Sequence, residues 1–248
     1  NLSQNPRTLL PKFFGHYSYI CGLKNVRIIA MNNLLPSYLK MHQKYDLKGS
    51  TYRRKADKYE RQKDSPTYKD LDFIEHHPNG LQLESEKFDA LIKTIERDCR
   101  VLKNFNIMDY SLLIGIHNLD LAAMEKNNKD QPDSAEQAAT EDRSVSIFCT
   151  TMESIGANVE PIDSEEDVSL GGIPALNSKG ERLLLFIGII DILQSYRLMK
   201  KLEHTWKAMF HDGDSISVHR PRFYARRFLN FMKKSVFKKI PSDKKISF

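Results

Sequence analysis

The chain has 248 residues, 40% of them hydrophobic, enough to bury a sizeable core in one or two domains. No run approaches 18 consecutive apolar residues, so no transmembrane helix is expected. The three cysteines, Cys21, Cys99 and Cys149, are scattered and odd in number, which excludes a disulfide framework or a CxxC metal site and fits a reducing cytosol.

The net charge of +6 is unevenly spread. Residues 120–170 hold 13 Asp/Glu against 3 Lys/Arg, whereas residues 197–248 hold 14 Lys/Arg against 4 Asp/Glu. The basic remainder calls for an anionic partner: nucleic acid, acidic lipid or a phosphorylated substrate. The opening "NLSQNPRTLLPKFFG" has neither an initiator Met nor the form of a signal peptide, so the chain is expected to be a piece of something longer.

In chain order, residues 8–45 read as strands, with "CGLKN" as a hairpin turn before the β-rich "VRIIAMNNLL". "YDLKGSTYRRKADKYERQKDSPTYKDLDF" is polar and basic and reads as a long functional loop with some strand at its start. In "ESEKFDALIKTIERDCRVLKNFN", the residues Phe88, Leu91, Ile92, Ile95, Cys99 and Leu102 recur at spacings of three and four, which predicts a helix of about five turns with Ser85 as its N-cap. The "SLLIGIH" that follows is a short apolar run, hence a buried strand. Residues 121–170 are acidic and aperiodic and read as a disordered insertion. The run 183–190 is a second buried strand, closed by Asp191. "PRFYARRFLNFMKKSVFKKI" predicts a helix with Pro221 in its first turn and Phe223, Phe228, Phe231 and Met232 on its apolar side.

Two carboxylates stand out against this pattern. Asp109 precedes the first buried strand and Asp191 ends the second. If the strands pair, both carboxylates arrive at one end of the pair. Two carboxylates beside Lys/Arg suit metal-assisted phosphoryl transfer, one orienting the attacking hydroxyl and the other holding Mg²⁺. Spacing alone leaves open that each merely starts or stops a strand. "DLKGS" poses the same choice: Gly49 permits close approach of an anion and Lys48 supplies charge, yet a solvated basic hairpin reads identically.

The motifs "YDLKGSTYRR", "PTYKDLDF", "IMDYSLLIGIH", "GGIPALNSKGERLLLFIGIIDILQSY" and "HDGDSISVHRPRFY" together resemble the phosphatidylinositol phosphate kinases, and in detail the type I group. The resemblance covers nearly everything outside the acidic insertion. It implies an α+β, protein-kinase-like fold, an antiparallel sheet packed with helices and a flat basic face toward the bilayer. It also implies that the chain is a hinge and C-terminal lobe, with the N-terminal lobe and its Gly-rich phosphate loop largely missing.

The implied activity is transfer of the ATP γ-phosphate to the 5-hydroxyl of phosphatidylinositol 4-phosphate, with ATP and Mg²⁺. By the same resemblance Asp109 is the catalytic aspartate and Asp191 the Mg²⁺ ligand. Asn33 and Leu35 line the adenine pocket with Leu113 beneath the ring, and Lys48 and Arg54 hold the head-group phosphate. Residues 192–219 match the activation or specificity loop. There Glu203 stands where type I members carry Glu and type II members Ala, and Lys200 and Lys201 match a dibasic pair at the membrane, where each cation contributes about 1 kcal/mol.

The protein is therefore expected in the cytoplasm, peripheral at the plasma membrane, with a homodimer formed by the full-length protein. The piece alone is expected to bind ATP poorly and to be nearly inactive. The competing expectation is an incompetent fragment or pseudokinase that acts as a phosphoinositide-binding module. Nucleic-acid binding through the basic C-terminus is not expected, because Phe223, Tyr224, Phe228 and Phe231 fall at helical spacing and belong to a core rather than a stacking platform.

Overall fold

The computed structural model describes residues 8–22, 24–129, 171–193 and 221–240. Strands β1 (Phe13–Cys21) and β2 (Lys24–Met31) form an antiparallel hairpin about Gly22, whose φ of 57° suits a residue without a side chain. The hairpin stands as its own two-stranded sheet. Tyr17, Tyr19, Ile20, Val26 and Ile28 on it are exposed.

The second sheet has seven strands in the order β4-β3-β6-β8-β7-β5-β9. These are β3 (Gln43–Leu47), β4 (Thr67–Tyr68), β5 (Leu81–Leu83), β6 (Ser111–Asn118), β7 (Ile173–Leu176), β8 (Arg182–Ile190) and β9 (Phe237–Lys239). The sheet is mixed rather than antiparallel as expected: β3 pairs with β4, and β5 with β9, in parallel. Its centre, β3-β6-β8-β7, is antiparallel throughout. The parallel pairs lie at the two edges, where the chain returning from the segment after β3, or arriving from the far C-terminal end, runs in the same direction as its neighbour.

Five helices complete the described chain: α1 (Lys58–Arg61), α2 (Asp70–His76), α3 (Ser85–Asn104), α4 (Leu119–Lys129) and α5 (Pro221–Phe231), the last continuing into a π-helical turn, Met232–Val236. The periodicity that predicts α3 is also its burial pattern, since all six spaced apolar residues are buried. They meet Leu112, Ile114 and Ile116 of β6, Leu185, Ile187 and Ile189 of β8, and Phe228 and Met232 in one core. Each fully buried Leu or Ile contributes roughly 1.5–3 kcal/mol.

Several expectations need correction. The N-cap of α3 is Glu84, not Ser85, because the chain leaves β5 in extended geometry and turns helical one residue later; Glu84 pairs with Lys87 at 3.0 Å. The long basic "loop" contains α1, β4 and α2, hidden from the sequence because α2 is held by polar contacts rather than by an apolar stripe. On α5 the inward residues are Tyr224, Ala225 and Phe228; Phe223 is exposed. Residues 121–129 of the expected insertion are helical, and 130–170 lie outside the described residues. The strands beside Asp109 and Asp191 do pair, although α4 and β7 come between them in the chain and β7 lies on the far side of β8.

Candidate active site

Three adjacent strands end together. Leu47, the last residue of β3, lies opposite Leu112, and Ser111, the first residue of β6, lies opposite Ile190, the last of β8. The register therefore brings Lys48, Asp109 and Asp191 to one end of the sheet. The Lys48 ammonium donates to the Asp109 carbonyl at 2.6 Å and sits 3.4 Å from Asp191 Oδ2. The Asp191 side chain is half exposed and Asp109 is half buried.

Both aspartates have left-handed backbones, φ 65° at Asp109 and 64° at Asp191. Asp tolerates this region better than most residues, but it is still disfavoured. Both strands thus bend sharply at their acidic ends. Two such residues side by side are what a strained functional site looks like.

Helix α5 closes one side. The Tyr224 hydroxyl donates to the Tyr110 carbonyl, and the Tyr110 and Tyr224 rings meet at 4.8 Å. Burial, and then the nearby charge of Asp109, push the Tyr224 phenol far above its ordinary pKa, so it stays protonated as a donor.

The loop after β3 is built around an acid that the sequence reading missed. Asp70, 0% exposed at the first position of α2, accepts from the backbone N–H of Gly49 at 2.7 Å, of Lys48 at 3.1 Å and of Ser50 at 3.3 Å, and from Arg54 Nε at 2.7 Å. Gly49 does permit close approach of an anion, but that anion is the protein's own carboxylate. The left-handed Gly49 also lies under α5: a Cβ there would stand 3.1 Å from Phe228 Cα.

The Arg54 guanidinium, 14% exposed, bridges Asp70 and Asp46, the latter at 2.7 Å. Burial works against its charge, and the bond and charge of Asp70, then those of Asp46, more than offset this, raising its pKa. A second buried acid, Asp72, takes Ala56 N at 2.7 Å and the Arg61 guanidinium. Both acids stand in the first turn of α2, where carboxylates suit the free N–H groups, but the sequence reading placed no helix there to mark them.

The segment after β2 crosses the sheet face that carries Leu113. Leu35 and Met41 rest on Gly115, and Leu34 on Gly188, the residue opposite Leu113. Any side chain at Gly188 would meet Leu34 at 2.5 Å. Asn33 is exposed and its Oδ1 accepts from Leu35 N at 3.2 Å. Leu35 and Leu113 thus belong to one layer, with Leu34, Gly115 and Gly188 as partners the sequence reading did not name. Glycines inside two buried strands were the available sign.

Lys200, Lys201 and Glu203 lie outside the described residues, as does the loop 192–219 beyond Leu193. Among the described residues no helix is long and apolar enough to cross a membrane, and no three His, Cys, Asp or Glu are grouped to hold a metal. Cavities of about 220 and 310 Å³ lie at the other end of the sheet, around His42, His77 and His117, away from the paired aspartates.

Residues 1–235 match the family model of the phosphatidylinositol-4-phosphate 5-kinases. The chain is 58% identical to phosphatidylinositol 4-phosphate 5-kinase type-1 alpha of Mus musculus, over 97% of this chain and 44% of that protein. It is 55% identical to the type-1 beta protein of Homo sapiens, over 98% of this chain and 46% of that protein. Identity to the type-1 sktl protein of Drosophila melanogaster is 53%, over 98% of this chain and 37% of that protein. The chain spans less than half the length of these relatives.

Proposed function

This chain belongs to the phosphatidylinositol-4-phosphate 5-kinase family, and on that premise we propose that it carries the phosphate-transfer end of a lipid kinase. The reaction moves the ATP γ-phosphate to the 5-hydroxyl of phosphatidylinositol 4-phosphate and yields phosphatidylinositol 4,5-bisphosphate. The observation that carries this reading is the convergence of Lys48, Asp109 and Asp191 at three neighbouring strand ends.

In this reading Asp109 orients the inositol 5-hydroxyl and takes its proton as the oxygen attacks. Asp191 fits Mg²⁺, because a hard cation needs only one or two protein carboxylates when nucleotide phosphates supply the other oxygens. Bound Mg²⁺ supplies neutralisation of the charge that builds on the transferred phosphoryl group. Lys48 adds a cation beside both aspartates and within reach of substrate phosphate. Leu35, with Asn33 beside it, and Leu113 flank the adenine.

Glu203 selects the 4-phosphate lipid, and Arg54, from its clamp, borders the head group. Lys200 and Lys201 hold the protein at the anionic inner face of the plasma membrane, as a peripheral protein in the cytoplasm. A homodimer belongs to the full-length protein.

The test uses full-length protein, Mg²⁺-ATP and vesicles carrying phosphatidylinositol 4-phosphate. Wild type forms the 4,5-bisphosphate, Asp109→Asn abolishes it, and Glu203→Ala changes the choice of lipid. Vesicle binding without product would make the chain a phosphoinositide-binding module and Asp109 a strand-start acid.

A further inference from the structure

Lys48 is the side chain that links the two aspartates, and it lies one residue beyond the end of β3. Its Nζ reaches the Asp109 carbonyl and Asp191 at the end of a long, flexible side chain, so its position depends on where its backbone is pinned. That backbone is pinned by Asp70. Three successive N–H groups, from Lys48, Gly49 and Ser50, converge on one fully buried carboxylate, the arrangement that in other proteins cradles a phosphate. The left-handed Gly49 makes the turn possible. Arg54 Nε balances the charge at 2.7 Å, and Asp46 ties Arg54 back to β3.

The consequence is that the "KGS" backbone is not free to bind a substrate phosphate, since its donors are spent on Asp70. What Lys48 itself presents to substrate is its ammonium. We propose that Asp70 is a positioning residue for phosphoryl transfer, acting through Lys48: it closes the "DLKGS" turn so that the ammonium stands between Asp109 and Asp191. This rests on the kinase reading above, but the turn itself can be tested without it.

Asp72 is the natural comparison. It is as buried as Asp70, lies on the same helix and has its own arginine, yet its backbone donors are Ala56 and Lys69, away from the lysine. Replacing Asp70 by Asn keeps one acceptor oxygen but turns an amide N–H₂ toward donors that already point inward.

The experiment is a double-mutant cycle in the full-length protein, with phosphatidylinositol 4-phosphate vesicles and Mg²⁺-ATP. Asp70→Asn and Lys48→Met are each expected to lower kcat/KM on the order of 10–100-fold, the scale of loss when a reacting group is misplaced by about 1 Å. The double variant is expected to be no slower than Lys48→Met alone, because Asp70 has nothing left to position. Asp72→Asn, whatever it costs in stability, is expected to multiply independently with Lys48→Met. Multiplicative losses for Asp70→Asn and Lys48→Met would overturn the proposal.

Amide hydrogen exchange of the peptide containing residues 47–51 gives the second readout. Asp70→Asn is expected to speed exchange there at least tenfold while Asp72→Asn does not, and unchanged exchange would overturn the proposal as well. If the wild type makes no product, the kinase reading fails, and exchange alone then decides whether Asp70 pins the turn.

Discussion

Replacing Gly49 by Ala tests whether α5 and the lysine turn are one mechanical unit. Gly49 has φ 67°, and an added Cβ would lie 3.1 Å from Phe228 Cα, 3.2 Å from Phe231 Cβ and 3.4 Å from the Arg227 carbonyl. Two costs follow. A left-handed non-glycine residue costs about 1–2 kcal/mol, less roughly 0.4–1 kcal/mol returned by the stiffer unfolded chain. Overpacking against helix backbone, which cannot rotate aside as a side-chain tip can, adds about 1–3 kcal/mol.

Gly180 separates the two. Its φ is 81°, but nothing lies within 4 Å of its would-be Cβ, so Gly180→Ala bears the backbone cost alone, about 1 kcal/mol. Gly49→Ala should then lose about 2–4 kcal/mol by equilibrium urea unfolding followed by far-UV circular dichroism. Equal losses in the two variants, within about 0.5 kcal/mol, would refute the claim that α5 bears on this turn.

Two further outcomes are expected. Arg54→Ala strands the fully buried Asp70 carboxylate and should cost about 3–5 kcal/mol in urea unfolding. If stability is unchanged and only phosphoinositide vesicle binding falls, Arg54 serves the head group and not the clamp. His77 is held down to about 4 by burial and then by the neighbouring His76, so protonation favours the unfolded chain. Its contribution is complete above the ordinary histidine pKa of about 6.5 and is lost as pH falls toward 4. Linkage puts the loss near 2 kcal/mol at pH 5. Urea midpoints at pH 7.5 and 5 should therefore separate more in wild type than in His77→Gln, and equal separations would contradict it.

The pieces of this molecule that are legible in its sequence are those whose information is local. α3 announces itself because burial on one helix face forces spacings of three and four, and each of Phe88, Leu91, Ile92, Ile95, Cys99 and Leu102 is buried as that spacing demands. β6 and β8 announce themselves as unbroken apolar runs because both faces of a central strand are covered. Acids at the ends of such runs are conspicuous, and long motifs carried the family.

Tertiary structure alone decided how these parts meet. No local pattern shows that β8 lies beside β6 with Ser111 opposite Ile190, the register that makes two distant aspartates neighbours. Nor does any show that Gly49 folds around Asp70 rather than around a ligand, since "DLKGS" and "KDLDF" are separated by a basic stretch with no apolar period. A buried carboxylate is stable only when donors from elsewhere in the chain converge on it, and that convergence exists only once the chain has folded.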